Sequence, residues 1–449
     1  MITYFKPQPS RGELIDRLNR SVSVLPLVLF RIVFGVLMLI STLRFMLQGW
    51  VSEFYVMPKV HFTYLYFGWV KPLPEVGMYI VFALILAASL CIVIGLFYRV
   101  SMLGFFLLFT YVELLDKTYY LNHYYFVSLL SFLLIFLPLH KGLSLDTRFG
   151  LTRAKNTVPA WTLNSIRLQL MLVYLFAGIA KINPDWLLAA QPMRIWLRAN
   201  TELPIIGFLF DYLWMAYAMS WAGMLYDLSI PFLLLWKKIR FLAYLVVIAF
   251  HILTAILFPI GMFPWIMMVC TLIFFEPDQW QWTRGIEKSF SGNFEHLRFQ
   301  KYILFILTLF FLFQMGMSFR HYLYPGNVLW TEEGYRFSWR VMLAEKTGRA
   351  TFIVKDIKTL QTWTVFPSQY LSPQQEKQMS FQADMILQFA HFLKDNFSKQ
   401  GYDVAVFAEV FVSLNGRSSQ LFIDKNIDLA SQGYNLQPKT WIHSLSRER

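Results

Sequence analysis

The run Leu168-Gln-Leu-Met-Leu-Val-Tyr-Leu-Phe-Ala-Gly-Ile-Ala-Lys181 is almost wholly apolar until it stops on a lysine, and Ile182-Asn-Pro-Asp-Trp186 follows. An ammonium group at this depth in hydrocarbon costs roughly 2.5–3.5 kcal/mol on insertion scales. A chain that keeps such a lysine either snorkels it to the interface or uses it. Burial disfavours the charged form, so a dry lysine can persist as a neutral amine and act as a base.

Apolar runs of this kind recur from about residue 26 to residue 319. The chain is 57% hydrophobic and 15% charged, with mean hydropathy +0.47; soluble domains carry about 25% charged residues. The expected fold is therefore a polytopic α-helical membrane protein with about nine transmembrane helices and a C-terminal extracytoplasmic α+β domain. The candidate spans are residues 26–47, 76–97, 101–115, 123–139, 165–181, 212–236, 241–258, 261–275 and 301–319. Several are shorter than the roughly 20 residues a span needs, which implies tilt, kinks or partial interfacial placement. Residues 1–20 form a polar cytoplasmic segment without an apolar signal core, so the first membrane helix has to serve as its own insertion signal. Residues 21–319 make up the membrane domain and 320–449 the outer domain.

The net charge of +13 does not mark a nucleic-acid partner, because the basic residues fall between apolar segments rather than in one patch. With the N-terminus inside, eighteen lysines and arginines sit on the inner side, including Lys6, Arg31, Arg167, Arg240, Arg284, Lys288 and Arg298. The outer ends hold six, leaving Lys181 aside. That bias predicts an extracytoplasmic C-terminal domain. Cys91 and Cys270 both lie inside apolar runs and read as packing residues. No two histidines fall at metal-ligand spacing, and no metal is expected.

Beyond residue 320 the pattern changes. Residues 338–344 and 350–356 flank a Lys346-Thr-Gly turn and residues 362–366 follow, which predicts a β-meander. Ser372-Pro373 reads as a helix cap with proline in the first turn. Met385, Ile386, Phe389, Phe392 and Leu393 recur at helical spacing until Gly401. Residues 404–414 and 418–423 read as a hairpin about Asn415-Gly416.

Four sites place polar side chains where a membrane does not want them: Asp116-Lys117 with Asn122-His123, then Lys181, Asp227 and His251. The plain readings are a solvated outer loop for Asp116 and Lys117, interhelical glue for Asp227, a packing histidine for His251 and snorkelling for Lys181. The topology puts Asn122, His123 and Lys181 at outer span ends, where they can meet beneath the C-terminal domain, with Asp227 and His251 deeper. Aromatic residues make up 18% of the chain and offer stacking partners to a flat apolar ligand such as a quinone.

Read together, the stretches Leu114-Leu-Asp-Lys-Thr118 with Asn122-His123, Tyr174 to Trp186, Leu225-Tyr-Asp-Leu-Ser229, Phe250-His251 leading to Ile260-Gly-Met-Phe263, and Tyr335-Arg-Phe-Ser-Trp339 with Met342 resemble the vitamin K-dependent gamma-glutamyl carboxylases. They also resemble the wider family that carries the horizontally transferred transmembrane domain. The resemblance runs from about residue 21 to about 435. It implies conversion of glutamate side chains to γ-carboxyglutamate, with vitamin K hydroquinone (phylloquinone or menaquinone) as cofactor and O2 and CO2 as co-substrates. It also implies a glutamate-containing protein or peptide as partner in the bilayer. By residue-level match Lys181 is the initiating base, with Asn122 and His123 at the quinone oxygens. His251 is implied as a polar support, Met342 as apolar wall, and Asp227 and Asp185 as structural. The animal enzymes continue for some hundreds of residues further. Their bridging cysteine pair has no counterpart here, and Ala180-Lys181 replaces two adjacent basic residues; these departures favour a bacterial homologue. Two other readings compete: a quinol epoxidase that does not carboxylate protein, and a non-enzymatic quinone- or lipid-binding module.

Overall fold

A computed structural model describes residues 11–258, 260–276 and 299–446. The inner-side cations Lys6, Arg284, Lys288 and Arg298 lie outside these residues. The membrane domain is built from α1 (Leu25–Leu47), α2 (Glu75–Ile94), α3 (Tyr98–Leu115), α4 (Asn122–Phe136), α5 (Ala160–Ala180), α6 (Leu213–Leu235), α7 (Arg240–Leu257), α8 (Phe263–Cys270) and α9 (Gln300–Phe319). Among the described residues seven of these are long and apolar enough to cross a membrane. The others, α4 and α8 (the latter extended by a 3-10 turn to Phe274), are shorter apolar helices. All nine predicted segments are thus helical, and seven have spanning length.

A helix leaves its last four carbonyls unpaired and partly negative, and at one end of the bundle arginines supply the donors. Arg31 is fully buried and reaches Ile92 O at 2.7 Å and Val93 O at 2.6 Å at the end of α2, together with Leu139 O and Leu143 O beyond α4. Arg167 caps Ile273 O and Phe274 O after α8. Arg240 caps Leu234 O and Leu235 O of α6. Deeper in the bundle Gln169 and Gln314 exchange two amide hydrogen bonds of 2.8 Å between α5 and α9, which leaves neither buried amide unpaired.

The outer domain holds four antiparallel strands: β1 (Lys346–Asp356), β2 (Thr362–Val365), β3 (Val404–Leu414) and β4 (Gln420–Leu421), in the order β2-β1-β3-β4. Strands β1 and β3 pair along their whole length. Between β2 and β3 the chain forms α10 (Pro373–Met379), which carries a complete Ser372/Gln375 capping box, and α11 (Ala383–Ser398), whose Phe389 packs on Phe352 of the sheet at 4.9 Å. The Asn415-Gly416 hairpin turn has φ of 52° and 76°, the left-handed pair such a turn requires.

The predicted meander needs correction. Lys346-Thr-Gly348 is not a turn but the start of β1. Gly348 stands there because a Cβ would lie 2.3 Å from Ser380 O; the glycine serves close approach and does not reverse the chain. Residues 338–344 form no strand either. They make an irregular strap with left-handed φ at Phe337 (66°), Trp339 (57°) and Met342 (49°). Phe337 and Trp339 are clamped against Tyr125 at 4.9 and 5.0 Å. Packing on the membrane domain, absent from any local pattern, overrides the strand propensity here.

The core of the outer domain extends into the bundle: Trp186, Met193 and Leu257 belong to the same buried cluster as the sheet residues Phe352, Val406 and Val410. Ion pairs fasten the joint. Asp185 takes both guanidinium nitrogens of Arg417 at 2.6 and 2.7 Å and an amide bond from Asn415. Asp116 and Lys117 are each only 2% exposed, so the solvated-loop reading fails for both. Asp116 accepts from Gln375, and Lys117 pairs with Asp384 at 2.6 Å. Removing one partner of a buried bidentate pair leaves the other charge uncompensated. Arg417→Ala is therefore expected to destabilise the joint by about 3 kcal/mol, measured as a lower Tm in detergent and faster proteolytic release of the outer domain.

Candidate functional site

Helix α5 ends one residue before Lys181, and the Asn183 side chain then caps the short turn Pro184–Leu188. This turn sends neighbouring residues to opposite sides. Asp185 goes outward to Arg417, while Trp186 folds inward, tied by its indole N–H to Ser220 O at 2.7 Å. The Trp186 ring lies 5.4 Å from Lys181 Nζ. The amine meets Asp227 Oδ2 of α6 at 2.7 Å, and both side chains are 8% exposed. Their approach depends on Gly178, one turn back from Lys181, where a Cβ would sit 2.8 Å from the Leu228 side chain and 3.0 Å from its backbone nitrogen. Asp227 of α6 thus pairs with a donor at the end of the neighbouring helix, as the interhelical reading expects, and that donor is Lys181.

This pair closes one end of a cavity of about 90 Å³ whose walls are mostly apolar and aromatic, among them Phe250, Leu253, Leu257 and Met267. His251 and Tyr174 supply its remaining polarity. Tyr174 Oη and His251 Nε2 are 3.1 Å apart, and among the described residues His251 Nδ1 finds no hydrogen-bond partner. A flat aromatic diol suits such walls, with a ring oxygen at His251 Nδ1 or Lys181 Nζ.

Asn122 and His123 do not line this cavity. They line a neighbouring cleft of about 830 Å³ that runs beneath the outer domain. The side chain of Asn122 is already engaged, accepting from Tyr120 Oη and donating to Arg340 O in the strap. The two spaces share Ile260, Phe263, Val341 and Met342 as a common wall. Phe263, on that shared wall, lies 5.9 Å from the His123 ring and 5.8 Å from that of His251. The expected single meeting place is thus two adjoining chambers, with Lys181 and His251 in the inner one, Asn122 and His123 in the outer, and Met342 facing both.

The outer chamber is basic. Lys117, Arg336, Arg340 and Lys346 face it, against Glu332 and Glu345. Burial of Lys117 outweighs the pull of Asp384 and brings its pKa down to about 8. Burial alone would raise Asp384, but Arg336 and Lys117 outweigh it and hold that carboxyl well below the usual range. Arg340 is 9% exposed, and among the described residues its Nε has no hydrogen-bond partner.

Tyr174, Trp186, Phe263 and Arg340 were not read as site residues. Tyr174 precedes Lys181 by seven residues, two helical turns on one face, which is a usable signal. Nothing local marks Arg340.

If Lys181 and Asp227 balance one another, Lys181→Met alone is expected to cost about 3–5 kcal/mol through the stranded carboxylate. Lys181→Met with Asp227→Leu recovers most of that loss, read as Tm in the same detergent.

Residues 19–280 match the HTTM domain, and residues 299–448 match the lumenal domain of vitamin K-dependent gamma-carboxylase. No solved structure matches the chain significantly. With both domains present in order along a multi-pass helical bundle, the chain belongs to the vitamin K-dependent gamma-glutamyl carboxylase family.

Proposed function

We propose that this protein carboxylates glutamate side chains of a protein or peptide to γ-carboxyglutamate, with vitamin K hydroquinone as cofactor and O2 and CO2 as co-substrates. The observation that carries this reading is the Lys181–Asp227 pair, held dry one wall away from a basic cleft. The reduced vitamin, once deprotonated and oxygenated, supplies a base strong enough to take a glutamate γ-proton, which no side chain can do.

The chain's own residues make that chemistry possible. In its unprotonated form Lys181 Nζ carries a free lone pair and accepts the hydroquinone hydroxyl proton. The adjacent Asp227 Oδ2 then neutralises the ammonium that results. His251 Nδ1 holds a ring oxygen, and the imidazole is kept in place by Tyr174. Trp186 and the apolar walls exclude water, which protects both the neutral amine and the strong base. On the outer side Lys117, Arg336 and Arg340 draw in a glutamyl carboxylate, and His123 and Asn122 orient groups at the dividing wall. Met342 completes the apolar surface on both sides.

The basic cleft supports carboxylation over a bare quinol epoxidase, which has no need of an acidic substrate. The inner-side excess of lysine and arginine supports an extracytoplasmic outer domain, in keeping with its match to a lumenal domain.

Membranes given labelled bicarbonate, reduced vitamin K and a glutamyl peptide are expected to label the peptide only when the hydroquinone is present. Lys181→Ala is expected to lower both labelling and epoxide formation by at least about 100-fold. Epoxide without label would turn the reading to the epoxidase. No label beside an active animal enzyme control, with no epoxide either, would remove it.

A further inference from the structure

A cavity of about 150 Å³ is the size known to admit a benzene ring, and the inner chamber measures about 90 Å³. The amine that has to receive a hydroxyl proton thus sits in a space smaller than that one-ring cavity, and a bicyclic quinol needs more room still. Its walls are helices on most sides: Val173 and Ala177 from α5, Gly223 and Asp227 from α6, and Phe250 and Leu257 from α7. Moving these means moving the bundle. The wall shared with the outer chamber is different in kind. It consists of Ile260 and Phe263, at the turn into α8, and Val341 and Met342, on the strained strap. Each is a side chain on a loop or at a helix start, and methionine is the most adaptable of the apolar residues.

We propose that Phe263, with Met342 behind it, is a displaceable partition. It keeps the chambers apart when the site is empty, turns aside to let the quinol ring reach Lys181, and then holds that ring between His123 and His251. Phe263 is accordingly a positioning residue. Its ring contacts both histidines and belongs to the wall common to both chambers, so its displacement opens one continuous path from the basic cleft to the Lys181–Asp227 pair. That continuity matters to the reaction. A reduced quinone held at Lys181 would supply a base that acts on a glutamyl γ-carbon entering from the outer chamber, and a wall that stayed shut would keep the two apart. The inference rests on the proposed carboxylase reading for its substrates, but the partition itself is a matter of volume and can be tested by binding alone.

The probe is menadione, the naphthoquinone headgroup without its tail, with binding read as quenching of tryptophan emission in purified full-length protein. Trp186 and Trp196 line the inner chamber, and Trp196→Phe assigns the signal to it. Phe263→Ala is expected to bind menadione about tenfold faster, because no side chain has to leave its rotamer first. The same variant is expected to lower the ratio of label incorporated to epoxide formed, since the ring is no longer held against the two histidines. Phe263→Leu restores most of both properties, and a cooperative thermal transition retained by Phe263→Ala excludes misfolding as the cause. Unaltered binding rate and coupling ratio in Phe263→Ala would overturn the partition while leaving the carboxylase reading intact. Menadione binding with no label and no epoxide in the unaltered protein would instead defeat the carboxylase reading and leave the partition standing on its binding data.

Discussion

An ammonium and a carboxylate 2.7 Å apart, both buried between membrane helices, constrain the rest of this architecture. Neither charge is tolerable alone at that depth, and the mutual attraction compensates only if the geometry is held. Helices α5 and α6 must approach closely, which Gly178 permits. The chain must turn immediately after Lys181, which the Asn183 cap and Pro184 arrange. Trp186 must then fold back over the amine and close it off from the outer side.

The same turn ties the pair to the outer domain. Asp185, next to Trp186, receives Arg417 and Asn415 from the hairpin end of the sheet, so the residue that roofs Lys181 and the residue that anchors the domain are neighbours in sequence. Lys117 and Asp116 fasten the opposite side through Asp384 and Gln375. Between these anchors the strap bearing Phe337, Trp339 and Met342 is stretched over the chambers in left-handed backbone. Each such residue costs on the order of 1–3 kcal/mol and persists only where its surroundings over-determine it. Ring contacts with Tyr125, the hydrogen bond that Phe337 N donates to Tyr120 Oη and the one that Asn122 donates to Arg340 O provide that determination. The two anchors therefore hold under strain the wall that divides the inner chamber from the outer one.

Much of this was legible beforehand for a simple reason: hydrophobic length and periodicity are local properties. All nine apolar segments, the capped helix at Ser372-Pro373 and the Asn415-Gly416 hairpin follow from runs of neighbouring residues. The errors fell where a distant contact decided the outcome. Gly348 read as a turn because its reason, the Ser380 carbonyl, lies over thirty residues away. Asp116 and Lys117 read as solvated because their partners on the outer domain lie beyond two hundred and fifty residues.

The sequence by itself determined that this is a multi-pass helical membrane protein with a mixed outer domain, and that Lys181 stands where hydrocarbon penalises its charge. Hydrocarbon imposes those conclusions directly, since it penalises each charge and each short span independently of the fold. Only the tertiary structure decided that Asp227 answers Lys181, that His123 and His251 both contact Phe263, and that the cations of the outer cleft converge. Those facts depend on how far helices approach and how side chains share volume, quantities that no single stretch of chain contains.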